Sequence, residues 1–86
     1  MKFYSYIIAS KKPFLKTYVG WTNNLKKRLE CHNSGKGAKA TRGRKWSIVY
    51  YLSFNSKRKA MVGEYELKKN KELRKEIRLK ITHNEE

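Results

Sequence analysis

The chain has 86 residues, with 22 lysines and arginines against 7 acidic residues, all of them glutamate, and a formal net charge of +15. This length accommodates one compact domain, and so large a positive charge attracts polyanions, nucleic acid above all, because neutralised phosphates release counterions. The single Cys31 excludes an intramolecular disulfide and favours a reducing compartment, and without a CxxC motif or a histidine pair at ligand spacing no structural zinc site is expected.

The apolar run near the N-terminus is short. It lies in MKFYSYIIAS, and no stop-transfer pattern follows it, so it predicts a β-strand rather than a signal peptide or a membrane span. We therefore expect no membrane association and a cytoplasmic location, nucleoid-associated if the protein is bacterial. Solubility alone is the alternative explanation for the charge, but net charges of about 2 to 8 suffice for that in a small domain.

The first two predicted elements form a β-hairpin over residues 3–20. Residues 3–9 are rich in aromatic and β-branched side chains, as strands are. Pro13 interrupts this run because proline cannot donate a backbone hydrogen bond to a strand ladder. The strand pattern then resumes over residues 14–20.

A helix is predicted next, because the hydrophobic period changes from two to about 3.6 residues. Leu25 and Leu29 occupy one face of this helix, and Arg28 and His32, also four residues apart, line a neighbouring face. The candidates for its N-cap are Thr22, Asn23 and Asn24.

The helix is expected to end where Gly35 or Gly37 can adopt a left-handed backbone conformation. A basic loop of small residues, GKGAKATRGRK, covers residues 35–45. Residues 46–54 are strongly apolar and aromatic, so they predict the third strand.

Two further helices complete the predicted domain. Ser56 can cap the first of them and Asn70 the second. The apolar stripe of the last helix consists of Leu73, Ile77 and Ile81. The order β-β-α-β-α-α predicts one small α+β domain over residues 1–86, in which helices flank a three-stranded sheet. Its core is expected at about 3–69 and its C-terminal helix at about 70–82.

Acidic residues are so few that their positions are informative. Phosphodiester cleavage needs an activated water, stabilisation of negative charge and usually a divalent metal, and one carboxylate can suffice for Mg²⁺ because that ion keeps several waters. Glu64 lies one turn after Ala60 and three residues before Leu67, near the helix face that should meet the sheet. A carboxylate there is costly unless it is paired or metal-bound. A salt bridge to a basic residue is the competing explanation, and the spacing does not decide between them.

The other candidate groups also have ordinary alternatives. A lone arginine such as Arg28 is usually solvated or paired, and a lone histidine such as His32 is more often structural than catalytic. Tyr6 and Tyr18 stand in predicted strands, where aromatic side chains usually pack in the core. Cys31 and His32 are not a nucleophile–base pair, because adjacent helical residues diverge by about 100°.

The order of these residues resembles the GIY-YIG nuclease superfamily. The resemblance rests on Tyr6, on YVG at 18–20, on NLKKRL with Arg28 and His32, and on Glu64 in EYELKK. The stretch HNSGKGAKATRGRK resembles in particular the small stand-alone, single-domain members, and it is also similar to the nuclease module of junction-cutting endonucleases. The match runs from about residue 3 to residue 69.

This resemblance implies an antiparallel three-stranded sheet with the active site on one face. It implies that Tyr18 is the general base or orients the water, and that Tyr6 supports the nucleophile by hydrogen bonding. Arg28 would stabilise charge on the scissile phosphate, and His32 would assist phosphate binding or proton transfer. Glu64 would hold the cofactor, Mg²⁺ or Mn²⁺.

The charge and the resemblance together imply DNA as the partner, with RNA as a second possibility. The loop residues expected to bind phosphates are Lys36, Lys39, Arg42, Arg44 and Lys45. Trp21 and Trp46 lie near them in sequence or in the predicted fold and could stack on bases. Specificity is expected to come from the domain itself, from a homodimer or from a protein partner.

Three functions follow from these expectations. The first is a metal-dependent endonuclease acting on DNA, including branched or damaged DNA of the kind processed in DNA repair. The second is a non-catalytic nucleic-acid-binding protein with the nuclease fold. The third is an RNA- or ribosome-associated accessory protein, which the same positive charge would serve.

Overall fold

The structure is a computed structural model in which residues 1–83 are described. It contains three strands and three α-helices. They are β1 (Phe3–Ser10), β2 (Lys16–Thr22), α1 (Leu25–Asn33), β3 (Ser47–Phe54), α2 (Lys57–Lys69) and α3 (Lys71–His83). A 3₁₀ turn, Lys39–Thr41, lies in the loop between α1 and β3. The order confirms the predicted α+β class.

The sheet is antiparallel, with β1 in the centre between β2 and β3. In the hairpin, Tyr6 is paired with Gly20 and Ile8 with Tyr18. On the other side of β1, Tyr6 is paired with Tyr51 of β3. Cross-strand partners lie on the same face of a sheet, so the ring of Tyr6 has a glycine on one side and a second tyrosine on the other.

The central strand is buried on both faces because helices cover both sides of the sheet. On one face, Ile7 and Val19 pack with Leu67 of α2 and Ile77 of α3. Side chains alternate along a strand, so the residues on either side of Ile7 contribute to the opposite layer. This face carries a hydrophobic core cluster of the domain.

The opposite face carries the second cluster, which consists of Tyr6, Ile8 and Trp46 with Tyr18, Leu25, Leu29 and Ile48 packed against them. Helix α1 supplies the two leucines through its i and i+4 positions. Its cover is incomplete, since the β3 residue Tyr51 on the same face is 55% exposed.

The predicted N-caps are confirmed by three hydrogen bonds. In each, the side-chain oxygen of the cap residue accepts from the backbone N–H three residues later. Asn24 begins α1, Ser56 begins α2 and Asn70 precedes α3, with distances of 3.0, 3.2 and 3.1 Å. Such caps are typically worth about 1 kcal/mol each. Gly35 has the left-handed conformation expected after α1, with φ of 80°. None of the helices described in residues 1–83 has the length and apolar character needed to cross a bilayer.

Candidate active site

The candidate site is built around the phenol of Tyr6, which is only 2% exposed on the central strand. The hydroxyl end of its ring lies against Gly20 of β2. A Cβ atom added at Gly20 would lie 2.5 Å from the Tyr6 hydroxyl oxygen and 2.7 Å from Cζ. Only a glycine at this position leaves room for the phenol, which gives a steric reason for the glycine of YVG at 18–20.

A chain of three hydrogen bonds links this phenol to the basic loop through His32 and Thr41. Tyr6 Oη lies 2.8 Å from Nε2 of His32, and Nδ1 of His32 lies 2.9 Å from Oγ1 of Thr41. The hydroxyl of Thr41 donates its single proton to the Ala38 carbonyl at 2.8 Å, so towards His32 it can only accept. Nδ1 therefore carries the imidazole proton, Nε2 accepts, and Tyr6 donates its hydroxyl proton to His32.

This arrangement needs a neutral His32, and its surroundings favour that form. His32 and Thr41 are both fully buried. Burial, and then the charge of Arg28, hold the pKa of His32 below its ordinary value of 6.5. A Cβ at Gly37 would lie 2.6 Å from Nδ1, so a glycine is again what lets the ring occupy its place.

Arg28 adds a fixed positive charge beside the phenol. It is half-buried on α1, one turn before His32. Its hydrogen bond to Tyr6 raises the pKa of Arg28 above its ordinary value although burial acts in the opposite direction. Burial raises the pKa of Tyr6 above 10.0, and the hydrogen bond and charge of Arg28 oppose that rise. The site thus combines a neutral phenol with a permanent guanidinium charge.

Tyr18 lies at the rim of the same cluster. Its ring centroid is 5.3 Å from that of His32, and the ring of Tyr6 is 5.9 Å from the same imidazole. Unlike Tyr6, the half-buried Tyr18 makes no side-chain hydrogen bond within residues 1–83. Its hydroxyl therefore keeps its hydrogen-bonding capacity for a water or a substrate atom.

Glu64 approaches the site from α2. Its charge contributes to the raised pKa of Tyr6, after burial and the contributions of Arg28 and Tyr18, so it lies within electrostatic reach of the phenol. The salt bridge considered as an alternative also exists: Lys68 Nζ lies 3.9 Å from Glu64 Oε1, with the two side chains 56% and 24% exposed. At that distance and exposure such a pair contributes little.

The donor set limits the kind of metal that would fit. Among residues 1–83 no group of three or more His, Cys, Asp or Glu side chains is placed to hold a metal ion. Glu64 therefore suits an ion that takes one protein carboxylate and completes its shell with waters and phosphate oxygens, which is how Mg²⁺ is commonly bound.

The basic loop presents most of its predicted phosphate-binding residues to solvent. The exposed ones are Lys36, Lys39, Arg42 and Lys45. Arg44 is half-buried: its Nη1 donates to the carbonyl oxygens of Phe14 and Ser10 at 2.8 and 3.4 Å, and its guanidinium lies 4.4 Å from the centroid of the Phe14 ring. In this position Arg44 holds the loop against the β1–β2 hairpin.

The expectation that Trp46 stacks on bases is wrong. Trp46 is 4% exposed, and its indole N–H donates to the Thr41 carbonyl at 2.8 Å. Its place in the apolar cluster leaves no face open for a base. Trp21 is half-buried, and Lys57 Nζ lies 5.4 Å from its ring centroid.

Sequence reasoning did not identify Thr41 or Gly37 as part of the site. Both stand in a loop of small and basic residues whose composition indicates only charge and flexibility. Their role depends on how the loop folds back, which Asn33 fixes by donating to the Trp46 carbonyl at 3.2 Å and accepting from its backbone N–H at 2.6 Å. No local sequence pattern encodes that closure.

Comparison with known proteins assigns the fold to a family. The family model described as the GIY-YIG catalytic domain matches residues 2–77. This chain belongs to the GIY-YIG family. The resemblance noted in the sequence is therefore confirmed, and with it a nuclease family.

Several small GIY-YIG proteins are similar to this chain over most of their length. A UPF0213 protein of Clostridium perfringens is 51% identical over 67 residues, 77% of this chain and 70% of that protein. A UPF0213 protein of Streptococcus pyogenes serotype M5 is 43% identical over 86 residues, 99% of this chain and 91% of that protein. The solution NMR structure of the UPF0213 protein BH0048 of Bacillus halodurans is 39% identical, with a TM-score of 0.49 over 94% of this chain and 85% of that chain.

The buried imidazole of this GIY-YIG domain predicts a pH-dependent stability. The pKa of His32 is lowered in the folded state by burial and by Arg28, so below about 6.5 the unfolded chain binds more protons than the folded chain. This stabilisation is present above about pH 6.5 and is lost as the pH falls below it. Urea unfolding of the wild type should give a smaller free energy of unfolding at pH 5.5 than at pH 7.5.

The second histidine provides the control. His83 is exposed at the end of α3, so His83→Asn should keep the wild-type dependence. His32→Asn should be less stable at pH 7.5 and should lose most of the change between the two pH values. An unchanged pH dependence in His32→Asn would contradict the assignment.

Proposed function

We propose that this protein is a divalent-metal-dependent endonuclease that hydrolyses phosphodiester bonds in DNA, with branched or damaged DNA as its substrate class. The observation that carries the proposal is the convergence of Tyr6, Tyr18, Arg28 and His32 from three elements on one face of the sheet. The net charge of +15 supports a polyanionic substrate for this cluster.

Arg28 would stabilise the negative charge that develops on the scissile phosphate. A guanidinium held in a partly buried place acts in a lower dielectric than bulk water, where its effect on a phosphate is larger. Its interaction with Tyr6 already favours the charged guanidinium in the free protein, so this charge is in place before the substrate binds.

Tyr18 and Tyr6 would act differently on the attacking water. The Tyr18 hydroxyl makes no side-chain hydrogen bond within residues 1–83, and it would orient the water or accept its proton. Tyr6 donates its proton to His32 and Arg28 donates to the Tyr6 oxygen, so one lone pair of that oxygen remains to accept a hydrogen bond from the water. Neutral His32 keeps Tyr6 in this orientation, and Thr41 keeps His32 in the required tautomer.

Glu64 would hold the divalent ion, Mg²⁺ or Mn²⁺. When bound, such an ion supplies Lewis-acid polarisation of the phosphate and neutralises its charge. The single carboxylate implies weak binding of the ion to the free protein, because most of the shell would come from water and from the substrate phosphate. The ion and the nucleic acid would therefore bind together.

The exposed side chains of the basic loop would contact the nucleic-acid backbone. Lys36, Lys39, Arg42 and Lys45 have no acidic residue near them in sequence, and phosphate contacts of this kind are independent of base sequence. RNA would be bound by the same contacts. Specificity beyond the phosphates would then come from the shape of the substrate, from a second copy of the chain or from a protein partner.

Cleavage assays test the proposal. Plasmid and branched oligonucleotide DNA are incubated with the protein in Mg²⁺, Mn²⁺ or EDTA, and we expect cutting that requires the metal. Arg28→Ala should reduce the cleavage rate by about 100- to 1,000-fold, the usual cost of removing one charge-stabilising donor. Lys27→Ala, which removes an exposed positive charge from the adjacent position of α1, should leave the rate within a few-fold of the wild type.

A different result would support the alternative function. Tight, salt-sensitive DNA binding without cutting of either substrate in either metal would overturn the endonuclease proposal. The protein would then be a nucleic-acid-binding protein that keeps the nuclease fold.

A further inference from the structure

The face of the sheet that carries the candidate site is only half covered. Helix α1 packs over its Ile8 end. Towards the start of β1 the same face carries Tyr4, and across from it on β3 lie Tyr51 and Ser53. Tyr51 and Ser53 are exposed and Tyr4 is half-buried, so this part of the face is open to solvent.

Tyr51 is the prominent group on this open half. It is the cross-strand partner of Tyr6, so its backbone lies one strand away from that of Tyr6. Gly20 is one strand further, which places the backbones of Tyr51 and Gly20 about 10 Å apart. Its ring is held edge-on by Tyr4, with centroids 6.0 Å apart and an angle of 71° between the planes. A T-shaped contact of this kind orients a ring without covering both of its faces.

We propose that Tyr51, supported by Tyr4, is a stacking platform for one unpaired nucleobase of the substrate, close to the scissile phosphate. Exposed aromatic rings beside a basic surface are how proteins bind single-stranded nucleic acid, because every base has a face that can stack. The inference rests on the proposed function, since a phosphate held at Arg28 and Tyr6 brings neighbouring nucleotides over β3.

This platform specifies the kind of substrate that the site takes. A base can reach the ring of Tyr51 only when it has left the stack of a duplex. The substrate would therefore carry a single-stranded segment, a flap or a branch beside the bond to be cut. A fully paired duplex offers its phosphates to the basic loop but no base to Tyr51.

Binding measured without cleavage tests this inference. Fluorescence anisotropy in EDTA compares a flapped oligonucleotide and a fully paired duplex of the same length. Base stacking on an aromatic side chain is usually worth about tenfold in affinity or more, so Tyr51→Ala should weaken binding of the flapped DNA by about tenfold and change duplex binding little. Tyr51→Phe keeps the ring and should bind like the wild type.

A second exposed tyrosine gives the matched control. Tyr65 is 57% exposed, close to the 55% of Tyr51, but it lies on α2 beneath the opposite face of the sheet, with Lys69 Nζ 4.4 Å from its ring centroid. Tyr65→Ala should leave both affinities unchanged. A 2-aminopurine placed at the first unpaired position should be quenched by the wild type and by Tyr51→Phe but not by Tyr51→Ala.

The outcomes separate this inference from the proposed function. Equal effects of Tyr51→Ala on flapped and duplex DNA, or an equal loss in Tyr65→Ala, would overturn the platform even if the wild type cuts DNA. Selective loss in Tyr51→Ala together with no cleavage by the wild type would support the platform and overturn the nuclease activity.

Discussion

Replacing Glu64 with glutamine is expected to abolish DNA cleavage while DNA binding is preserved. The substitution keeps the size of the side chain but removes the charge that a divalent ion needs. Since metal assistance contributes several kcal/mol to a hydrolytic transition state and 1.36 kcal/mol is a factor of ten in rate, the loss should be about 1,000-fold or more. Cleavage rates in saturating Mg²⁺ and affinities in EDTA measure the two effects separately.

The fold should tolerate this change. The ion pair between Glu64 and Lys68 is long and partly exposed, so its removal should alter the free energy of unfolding by less than about 1 kcal/mol. Glu66→Gln is the matched variant, because it removes the same charge from an exposed position two residues further along α2. Full cleavage activity in Glu64→Gln, or an equal loss in Glu66→Gln, would remove Glu64 from the metal site.

A single methyl group at Gly20 is expected to disable the site and to destabilise the domain. The Cβ of Gly20→Ala would lie 2.5 Å from the Tyr6 hydroxyl oxygen, so the phenol must move and its hydrogen bond to His32 must break. Overpacking of a close-packed core typically costs about 1–3 kcal/mol. We expect a lower midpoint in urea unfolding and, at temperatures where the variant is folded, loss of most cleavage.

The control for this variant is a core residue on the other side of the sheet. Ile77 of α3 is 8% exposed and packs with Ile7, Val19 and Leu67 on the face opposite Tyr6. Ile77→Ala should therefore lose comparable stability, about 2–5 kcal/mol, but retain cleavage while it is folded. If both variants lost stability and activity in proportion, the effect of Gly20 would be on the fold alone.

Most of the fold could be predicted from the sequence because its signals are local. The caps at Asn24, Ser56 and Asn70 depend on side chains bonding within three residues, and the structure has them where the sequence indicates. The strands follow from alternation and β-branching, which also act over a few residues. Their antiparallel order was an implication of the family resemblance and is confirmed by the sheet.

The site could be predicted in part. The structure brings Tyr6, Arg28 and His32 together as the motif implies, but the tautomer of His32 depends on Thr41. That contact joins residues across a folded loop, and no periodicity marks it. Burial of Trp46 was missed for a similar reason: its ring stands at the start of a strand and next to basic residues, and only the closed loop takes it out of solvent.

The link between the loop and the imidazole also limits how this protein could be re-engineered. The segment that would meet the nucleic acid ends in Thr41, whose hydroxyl positions His32 and whose carbonyl anchors Trp46. A loop graft intended to change substrate preference would therefore alter the chemistry as well, unless the donor loop keeps the threonine and the glycine at position 37. Under the proposed function, Thr41 couples nucleic-acid affinity to turnover, whereas the exposed Lys36, Lys39 and Lys45 are positions where affinity could be changed without disturbing His32.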